Sequence, residues 1–598
     1  MDINKTKQPL FPEFAPVSKE KWLEKITVDL KGADYEKKLV WRFDQNIKIH
    51  PFYVAGDVEN AMPPLKNSVD NNWEIREEID FNELDQANIF ISRGVEALTI
   101  KGFPLDEEGA AARLFEQPFF GKTPLHFSGV YSFPKLLTKL KKEAEKQNID
   151  LSNLNGSFDF DYYSYYLFRR EFYHSFEANR KELKVLIDKA KALLPKIKII
   201  NVNAKHYHNA GATMIQEMAF GLAHGAEYLV DCTDEGLTID DVLPLIQFTF
   251  ATGSSYFPEI AKIRALRILW NRIIKEFNPT QTLPIYIHSV SSLWNKATYD
   301  PHTNLLRTTT ETMSAVIGGC DAATILPLDS TFKPMEITTR RIARGQQLIL
   351  KEEVNLWKVA DPADGSYYIE ELTNQLVNQT WALFVQISEM GGYRAALENG
   401  FIFDEIQKSA ASKDMDFALR KINLVGVNQF PNLAERKAEE ILVEKKPSKG
   451  GLVTYRGAEA LEDIRLKTER FVNGGNKLPH FFLLTIGDIT MRKARANFAL
   501  NFFGCAGFQV TDNNGFSNIA EGMEAAKQAQ ADFVVICSSD AEYPELVAQL
   551  TENQDRVVIA GLPTDSLNQI KAAGVNHFIH ARCNILDELR KYQSILGI

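Results

Sequence analysis

A closed (β/α)8 barrel followed by a smaller, doubly wound parallel sheet is the fold class that the sequence predicts, and three observations predict it. The chain has 598 residues, too many for one ordinary domain. From about residue 90 to 400, short apolar runs alternate with longer amphipathic stretches, the pattern of parallel strands joined by crossover helices. Beyond residue 476 the alternation resumes in a much shorter segment, as a small α/β domain would require.

Residues 1–75 read as an extended arm. "KEKWLEKITVDLKGADYEKKLVW" has room for a short helix and a strand, while "HPFY" and "AMPPL" interrupt any longer pattern. Such a segment cannot bury a core alone and is expected to wrap another domain or a partner chain. Residues 76–400 are the expected barrel. Its strand candidates are "GVEALTI", "GSFDFDYY", "KIKIINVNA", "AEYLVDC", "FTFATGSSYF", "LPIYIHSVS" and "AATILPLD". Between them lie helical stretches such as "GATMIQEMAFGLAHG" and "PEIAKIRALRILWNRIIKEF". Around eight units over roughly 250 to 300 residues suit a closed barrel, with an open doubly wound sheet as the alternative. Residues 401–475 are helical, then charged and Gly-rich, and read as a linker. Residues 476–598 carry "HFFLLTIGD", "FQVTD", "DFVVICSSD", "RVVIAGLP" and "NHFIH", each followed by a helical segment. Ligands of such a sheet are expected at the carboxyl ends of its strands.

Composition narrows the function. Hydrophobic residues make up 45% and charged residues 24%, as in ordinary globular proteins. With 68 Lys and Arg against 78 Asp and Glu, the formal charge is −10, which argues against a nucleic-acid partner. Cys232, Cys320, Cys505, Cys537 and Cys583 are scattered, as free buried thiols of a reducing compartment would be. The start "MDINKTKQPLFPEF" has no basic-then-apolar pattern, and no apolar run approaches a membrane span, so a cytoplasmic location and no membrane partner are expected. There is no G-x-x-x-x-G-K-[ST] and no convincing G-x-G-x-x-G after a strand.

Individual motifs are weaker. His206 and His208, in "AKHYHNAGATMIQE", follow an apolar strand where a barrel carries acids and bases, but no third ligand completes a metal site. A pair of hydrogen-bonded loop histidines is the plainer expectation. In "TYDPHTNLLRTTTETM" the Asp300-Pro301 turn leads into a capped helix, with Arg307 and Thr308 able to hold an anion or an interface. Gly365 makes a tight loop in "ADPADGSYYIEELT", and the aromatics of "FDFDYYSYYLFRREFY" suit core and wall positions better than ligand stacking.

Taken together, "TYDPHTNLLRTTTETM", "RRIARGQQLIL" and "ADPADGSYYIEELT" resemble, in order, segments of the methylmalonyl-CoA mutase family, and the resemblance runs over nearly the whole chain. It implies an acyl-CoA mutase barrel joined to a flavodoxin-like cobalamin domain, and the interconversion of methylmalonyl-CoA and succinyl-CoA by adenosylcobalamin radical chemistry. The family's cobalamin domain carries Asp-x-His-x-x-Gly after its first strand: His binds cobalt, Asp orients it, and Gly admits the nucleotide tail. Here those positions are Ile489, Met491 and Ala494. The family's Ser-Ser-Leu appears as Ser538-Ser539-Asp540, and its paired Gly as Ala560-Gly561. In the barrel, His206 matches an active-site His, although Lys205 replaces the aromatic before it. Phe127 stands where a Tyr guards the radical, Val290 replaces a substrate-contacting Gln, and the basic coenzyme A-lining segment has no clear counterpart before Phe127.

The resemblance therefore implies a degenerate cobalamin-binding domain. It implies no cofactor or metal bound by this chain and no catalytic residue, His206 being a vestigial candidate. This combination is similar to the small subunit of the bacterial heterodimeric enzyme, whose large catalytic subunit holds adenosylcobalamin. The alternative is an independently active acyl-CoA mutase chain with an altered cobalamin binding mode.

Overall fold

The chain is described by a computed structural model over residues 13, 15, 17–44, 47–58, 70–441 and 450–598. The N-terminal stretch "MDINKTKQPLFP", the "AMPPL" segment and the charged "VEKKPSK" of the expected linker lie outside the described residues. Among the described residues no helix is long and apolar enough to cross a membrane.

The arm begins with a helix, Lys19–Asp29, capped by the Ser18 hydroxyl and burying none of its side chains. An antiparallel pair follows, β1 (Trp41–Phe43) with β2 (Ile47–Ile49). Strand β2 buries Ile47 and Ile49, and the Lys48 amide donates to Gln375 of the barrel's outer helix Tyr367–Glu389. The arm is thus anchored through β2, while its first helix packs on the arm itself, with Trp22 against Phe52 at 4.8 Å and Lys19 paired with Asp57.

Eight parallel strands then close on themselves: β3 (Glu74–Asp80), β4 (Ala97–Lys101), β5 (Leu125–Ser128), β6 (Gly156–Phe160), β7 (Ile197–Val202), β8 (Ile246–Thr252), β9 (Ile287–Ser291) and β10 (Ala322–Thr324). Strand β10 pairs with both β9 and β3, which closes the barrel. Strand β8 illustrates how it is built. Gln247 and Thr249 line the interior, whereas Phe248 points outward and lies 4.7 Å from the ring of Trp270. Gly221 and Gly225, one turn apart on helix Met214–Asp234, let that helix sit on the outward face, because a Cβ at Gly225 would overlap the Phe248 ring. Gly156 (φ 133°) opens β6 where any Cβ would overlap the Leu125 carbonyl of β5.

Three expectations for this region change. "AEYLVDC" is the second half of the 21-residue helix Met214–Asp234, not a strand. Tyr228, Leu229 and Cys232 are buried at helical spacing, the helix runs on through Gly225 without a break, and Thr213 with Gln216 forms one capping box for the whole element. Strands β3, "EIREEID", and β5, "LHFS", escape a search for apolar runs because this barrel turns charged and polar side chains inward. Strand β3 starts at Glu74, inside the segment read as an arm.

The C-terminal sheet has five parallel strands: β11 (His480–Thr485), β12 (Gln509–Thr511), β13 (Phe533–Cys537), β14 (Val557–Ala560) and β15 (His577–Ile579). Their order is β12-β11-β13-β14-β15, the flavodoxin-like arrangement. One face packs Phe481, Leu483 and Val535 against Phe502, Phe503 and Tyr592, and the other packs Leu484, Ile536 and Ile559 against Ile519 and Ile570. Part of the expected linker belongs to this core: helix Glu459–Asn473 adds Leu461 and Ile464 to the first face. Gln593 fixes it there, donating to the Ile464 carbonyl at 2.6 Å and to Thr468 at 3.0 Å.

Candidate functional site

The barrel holds a cavity of about 400 Å³ that runs from mid-barrel to the carboxyl ends of the strands. Its floor is a hydrogen-bonded polar network rather than the branched aliphatic layers common in such barrels. His126 joins Ser157 at 2.7 Å and Glu74 at 3.1 Å, and Gln247 donates to Ser157 at 2.9 Å. Thr249 donates to Asn201 at 2.9 Å, and His288 meets Thr324 at 2.9 Å. Burial, reinforced by Arg76, holds His126 down at about 4 and His288 well below the usual histidine range. Both imidazoles are therefore neutral near pH 7.

Phe127 and Val290 both line the cavity. Phe127 is fully buried with its ring 5.9 Å from Phe158, and it offers no hydroxyl to a ligand. His206 does not line the cavity. It turns to the other side of the short helix Lys205–Asn209, where its ring meets Phe168 edge-on at 4.8 Å. Burial, with the neighbouring Lys205 charge, holds it at about 3, so it is a neutral imidazole near pH 7 and not an imidazolium acid. The cavity instead receives Lys205, a residue that motif reading treats only as a departure from pattern. His208 is engaged elsewhere, 2.8 Å from the Ser292 hydroxyl and 3.7 Å from Glu217, so the two histidines share no ligand position.

The remaining motifs are structural. Arg307 donates to Thr303, Asn304 and the Val425 carbonyl, and Thr308 bonds back to Asn304. Asp300 takes a left-handed turn (φ 49°) just before helix His302–Ile317. Gly365 (φ 78°) makes its turn next to Glu370, which pairs with buried Arg264. Tyr162 and Tyr163 of the aromatic run are buried, and both donate to Asp231, at 2.6 and 2.7 Å.

In the C-terminal domain a ligand crevice belongs between the carboxyl ends of β11 and β13, where the strand order reverses. Helix Ile489–Gly504 starts there, and its N-cap is Asp488, whose carboxylate accepts from the Met491 amide at 2.8 Å. Ile489 is 58% exposed, Met491 half-buried and Ala494 exposed. Side chains of this chain bridge the loops that border the crevice. Glu542 accepts from the Ser538 hydroxyl at 2.5 Å, the Ser539 hydroxyl at 2.6 Å and the Ser539 amide at 3.1 Å. It also receives the Asp488 amide at 3.3 Å, which ties the loop after β11 to the loop after β13. Those donors, Ser538 first, hold Glu542 down at about 2, so it is ionised throughout the neutral range. Gly487 (φ 78°) leaves room for it, since a Cβ there would overlap the carboxylate. Arg492 spans from the Gly487 carbonyl to that of Asn514, and Arg495 pairs with Asp540 at 3.0 Å. Ala560 ends β14 fully buried, its carbonyl accepting from Tyr543 at 2.8 Å.

A family model described as methylmalonyl-CoA mutase matches residues 102–466. The chain belongs to the methylmalonyl-CoA mutase family. It is 36% identical to a methylmalonyl-CoA mutase small subunit of Porphyromonas gingivalis, over 99% of this chain and 100% of that one. It is 33% identical to a small subunit of Streptomyces virginiae, over 68% of this chain and 65% of the relative. A methylmalonyl-CoA mutase large subunit of Porphyromonas gingivalis is 27% identical over 67% of this chain and 64% of its own length. Against this mutase background, Glu542 and Lys205 are what motif reading missed. Glu542 lies outside the motifs read from the sequence, and the only sequence signal for Lys205 is a charge next to His206.

Proposed function

We propose that this chain is the small, non-catalytic subunit of a heterodimeric, cytoplasmic, adenosylcobalamin-dependent methylmalonyl-CoA mutase, stabilising a large catalytic chain that holds the cofactor. One observation carries the reading: the crevice between β11 and β13 is occupied by Glu542, bound to both loops that a cofactor would have to contact. The residues there do not suit cobalamin. Met491 supplies a thioether where a cobalt-binding imidazole would be needed, and Ile489 cannot orient a ligand. The Arg492 and Arg495 side chains cross the space beside them. The barrel supports the same reading, because His206 lies against Phe168 rather than lining the cavity and is a neutral imidazole near pH 7. The small-subunit relatives, the presence of a large-subunit relative in one of the same organisms, and the uncovered helix Lys19–Asp29 support a partner chain. No side chain of that helix is fully buried within this chain, and a helix of 11 residues with so little packing is marginal in water.

Incubated with hydroxocobalamin and then desalted, the chain alone is expected to emerge colourless. Co-expressed with a large chain it is expected to co-purify in a coloured complex with mutase activity. Stoichiometric cobalamin uptake by the chain alone, or mutase turnover without a large chain, would overturn the proposal and favour the independently active alternative.

A further inference from the structure

Where the linker meets the C-terminal domain, Arg420, Gln429, Asn497, Phe498, Asn501 and Ala581 line a cavity of about 310 Å³. It shares no lining residue with the barrel cavity, and none of the residues that bridge the β11–β13 crevice borders it. Arg420 follows helix Phe401–Ala418 in a left-handed conformation (φ 55°), its amide bonded to the Phe417 carbonyl at 2.9 Å. Glycine is the residue favoured at such a helix end, so an arginine there carries a conformational cost. Its guanidinium lies over the Phe498 ring at 4.5 Å and 5.4 Å from that of Phe502. That guanidinium has no anion. Arg420 forms no ion pair or side-chain hydrogen bond with any described residue, and its Nε is buried without a partner. Burial pushes its pKa down, and the groups that oppose burial are the Cys583 and Cys505 thiols, with no carboxylate among them. Further positive charge gathers beside it: Arg420, Arg582 and Arg495 all disfavour protonation of His580, after burial. Of these three arginines, only Arg495 has a carboxylate partner among the described residues, Asp540. A half-buried guanidinium in a cation-rich corner is an unfavourable arrangement, and an oxyanion from solution relieves it.

The other polar groups select the oxyanion. Asn501 is already engaged, its Oδ1 accepting from the Phe430 amide and its Nδ2 donating to the Asn497 carbonyl, each at 2.9 Å. Those bonds hold the segment that carries Gln429 against helix Ile489–Gly504. The side-chain amides of Gln429 and Asn497 have no partner among the described residues and border the cavity with Arg420. Three donor groups therefore come from three separate stretches of chain. That arrangement suits a tetrahedral phosphoryl group, with three free oxygens, better than a planar carboxylate with two. Two unpaired arginines match its second negative charge. The cavity is larger than a bare phosphate, which leaves room for the organic part of an ester.

We propose that the Arg420 cavity binds a phosphoryl group, carried by free phosphate or by a small phosphomonoester, with the Arg420 guanidinium and the Gln429 and Asn497 amides as its donors. Calorimetric titration of the full chain with inorganic phosphate and with glycerol 3-phosphate, at constant ionic strength, tests this, with acetate as the planar comparison. Wild type is expected to give saturable heat with a phosphoryl ligand, the tighter of the two naming the source, and much weaker binding of acetate. Arg420→Met is expected to weaken phosphoryl binding at least ~10-fold, and Arg590→Ala, outside the cavity, to leave it within about twofold. Arg420→Gly removes the guanidinium while relieving the left-handed backbone, so it is expected to fold and to lose binding to the same extent. It decides the matter should Arg420→Met fail to fold. Circular dichroism verifies that each variant is folded. Three results would each overturn the proposal: no saturable heat with either phosphoryl ligand at millimolar concentration, affinity unchanged in the folded Arg420 variants, or acetate binding as tight as the phosphoryl ligands. Cobalamin uptake is read at a different crevice, so either result can fail without the other.

Discussion

Replacing Lys262 with methionine is expected to destabilise the barrel by about 3–5 kcal/mol, the cost of stripping the cation from a buried ion cluster. Lys262 is wholly buried in helix Tyr256–Lys275, 3.1 Å from Glu217 and 2.6 Å from Glu259, and it donates to the Ala251 carbonyl at the end of β8. Burial alone would neutralise the lysine, but the two carboxylates outweigh burial and raise its pKa. One ammonium cannot satisfy two carboxylates equally. Burial drives Glu259 above its usual range, while Glu217, aided by Lys262 and His208, stays below it. Both carboxylates also hold backbone, Glu217 the Ala251 amide and Glu259 the Gly253 amide, each at 2.8 Å. Removing the ammonium therefore leaves two buried carboxylates without their cation and loosens the strand end that borders the cavity. Urea unfolding followed by tryptophan fluorescence measures the effect. All seven tryptophans lie at or before Trp381, so the signal reports the arm and barrel and is silent on the C-terminal domain. The triple variant Lys262→Met, Glu217→Gln, Glu259→Gln is expected to recover part of the loss, because it removes the stranded charges together with their partner. A single variant as stable as wild type would mean that the cluster is not paired as described.

The same cluster marks the limit of what the sequence discloses. Lys262 sits in "PEIAKIRALRILWNRIIKEF", where a lysine in an amphipathic helix reads as solvent-facing, and only the tertiary fold shows it turned inward. The C-terminal sheet was legible because its central strands β11, β13 and β14 are buried on both faces and appear as apolar runs such as "DFVVICSSD". The barrel was legible as a repeat but not strand by strand. Glu74, Arg76, Ser157 and Thr249 turn a polar face inward, so apolar runs are a poor guide to its strands. Ile489, Met491 and Ala494 could be read one by one. Glu542 bridging two loops depends on the β11–β13 crevice and has no local signature.

That inward polar face makes the barrel acid-labile, with about 3 kcal/mol expected from His126 alone. In the folded chain His126 is held at about 4, against about 6.5 when unfolded, because burial and then Arg76 disfavour its charged form. Glu74 moves in the same direction: burial resists its ionisation, but Arg76 and His126 outweigh burial and hold it at about 2. Both folded values lie below the unfolded ones, so the unfolded chain binds more protons throughout this interval and stability rises with pH. The His126 contribution is fully present above about pH 6.5 and is lost as pH falls towards about 4; the Glu74 contribution disappears between about 4.5 and 2. Each pH step across the His126 window removes about 1.4 kcal/mol. Urea midpoints by tryptophan fluorescence should therefore fall steeply between about pH 6.5 and about pH 4.5 at constant salt. His126→Gln retains polar atoms for Ser157 and Glu74 but cannot titrate. It is expected to begin less stable near neutrality and to give a visibly flatter profile over the same interval. A His126→Gln profile parallel to wild type would assign the acid sensitivity to other groups and reject a neutral, buried imidazole at the floor of the cavity.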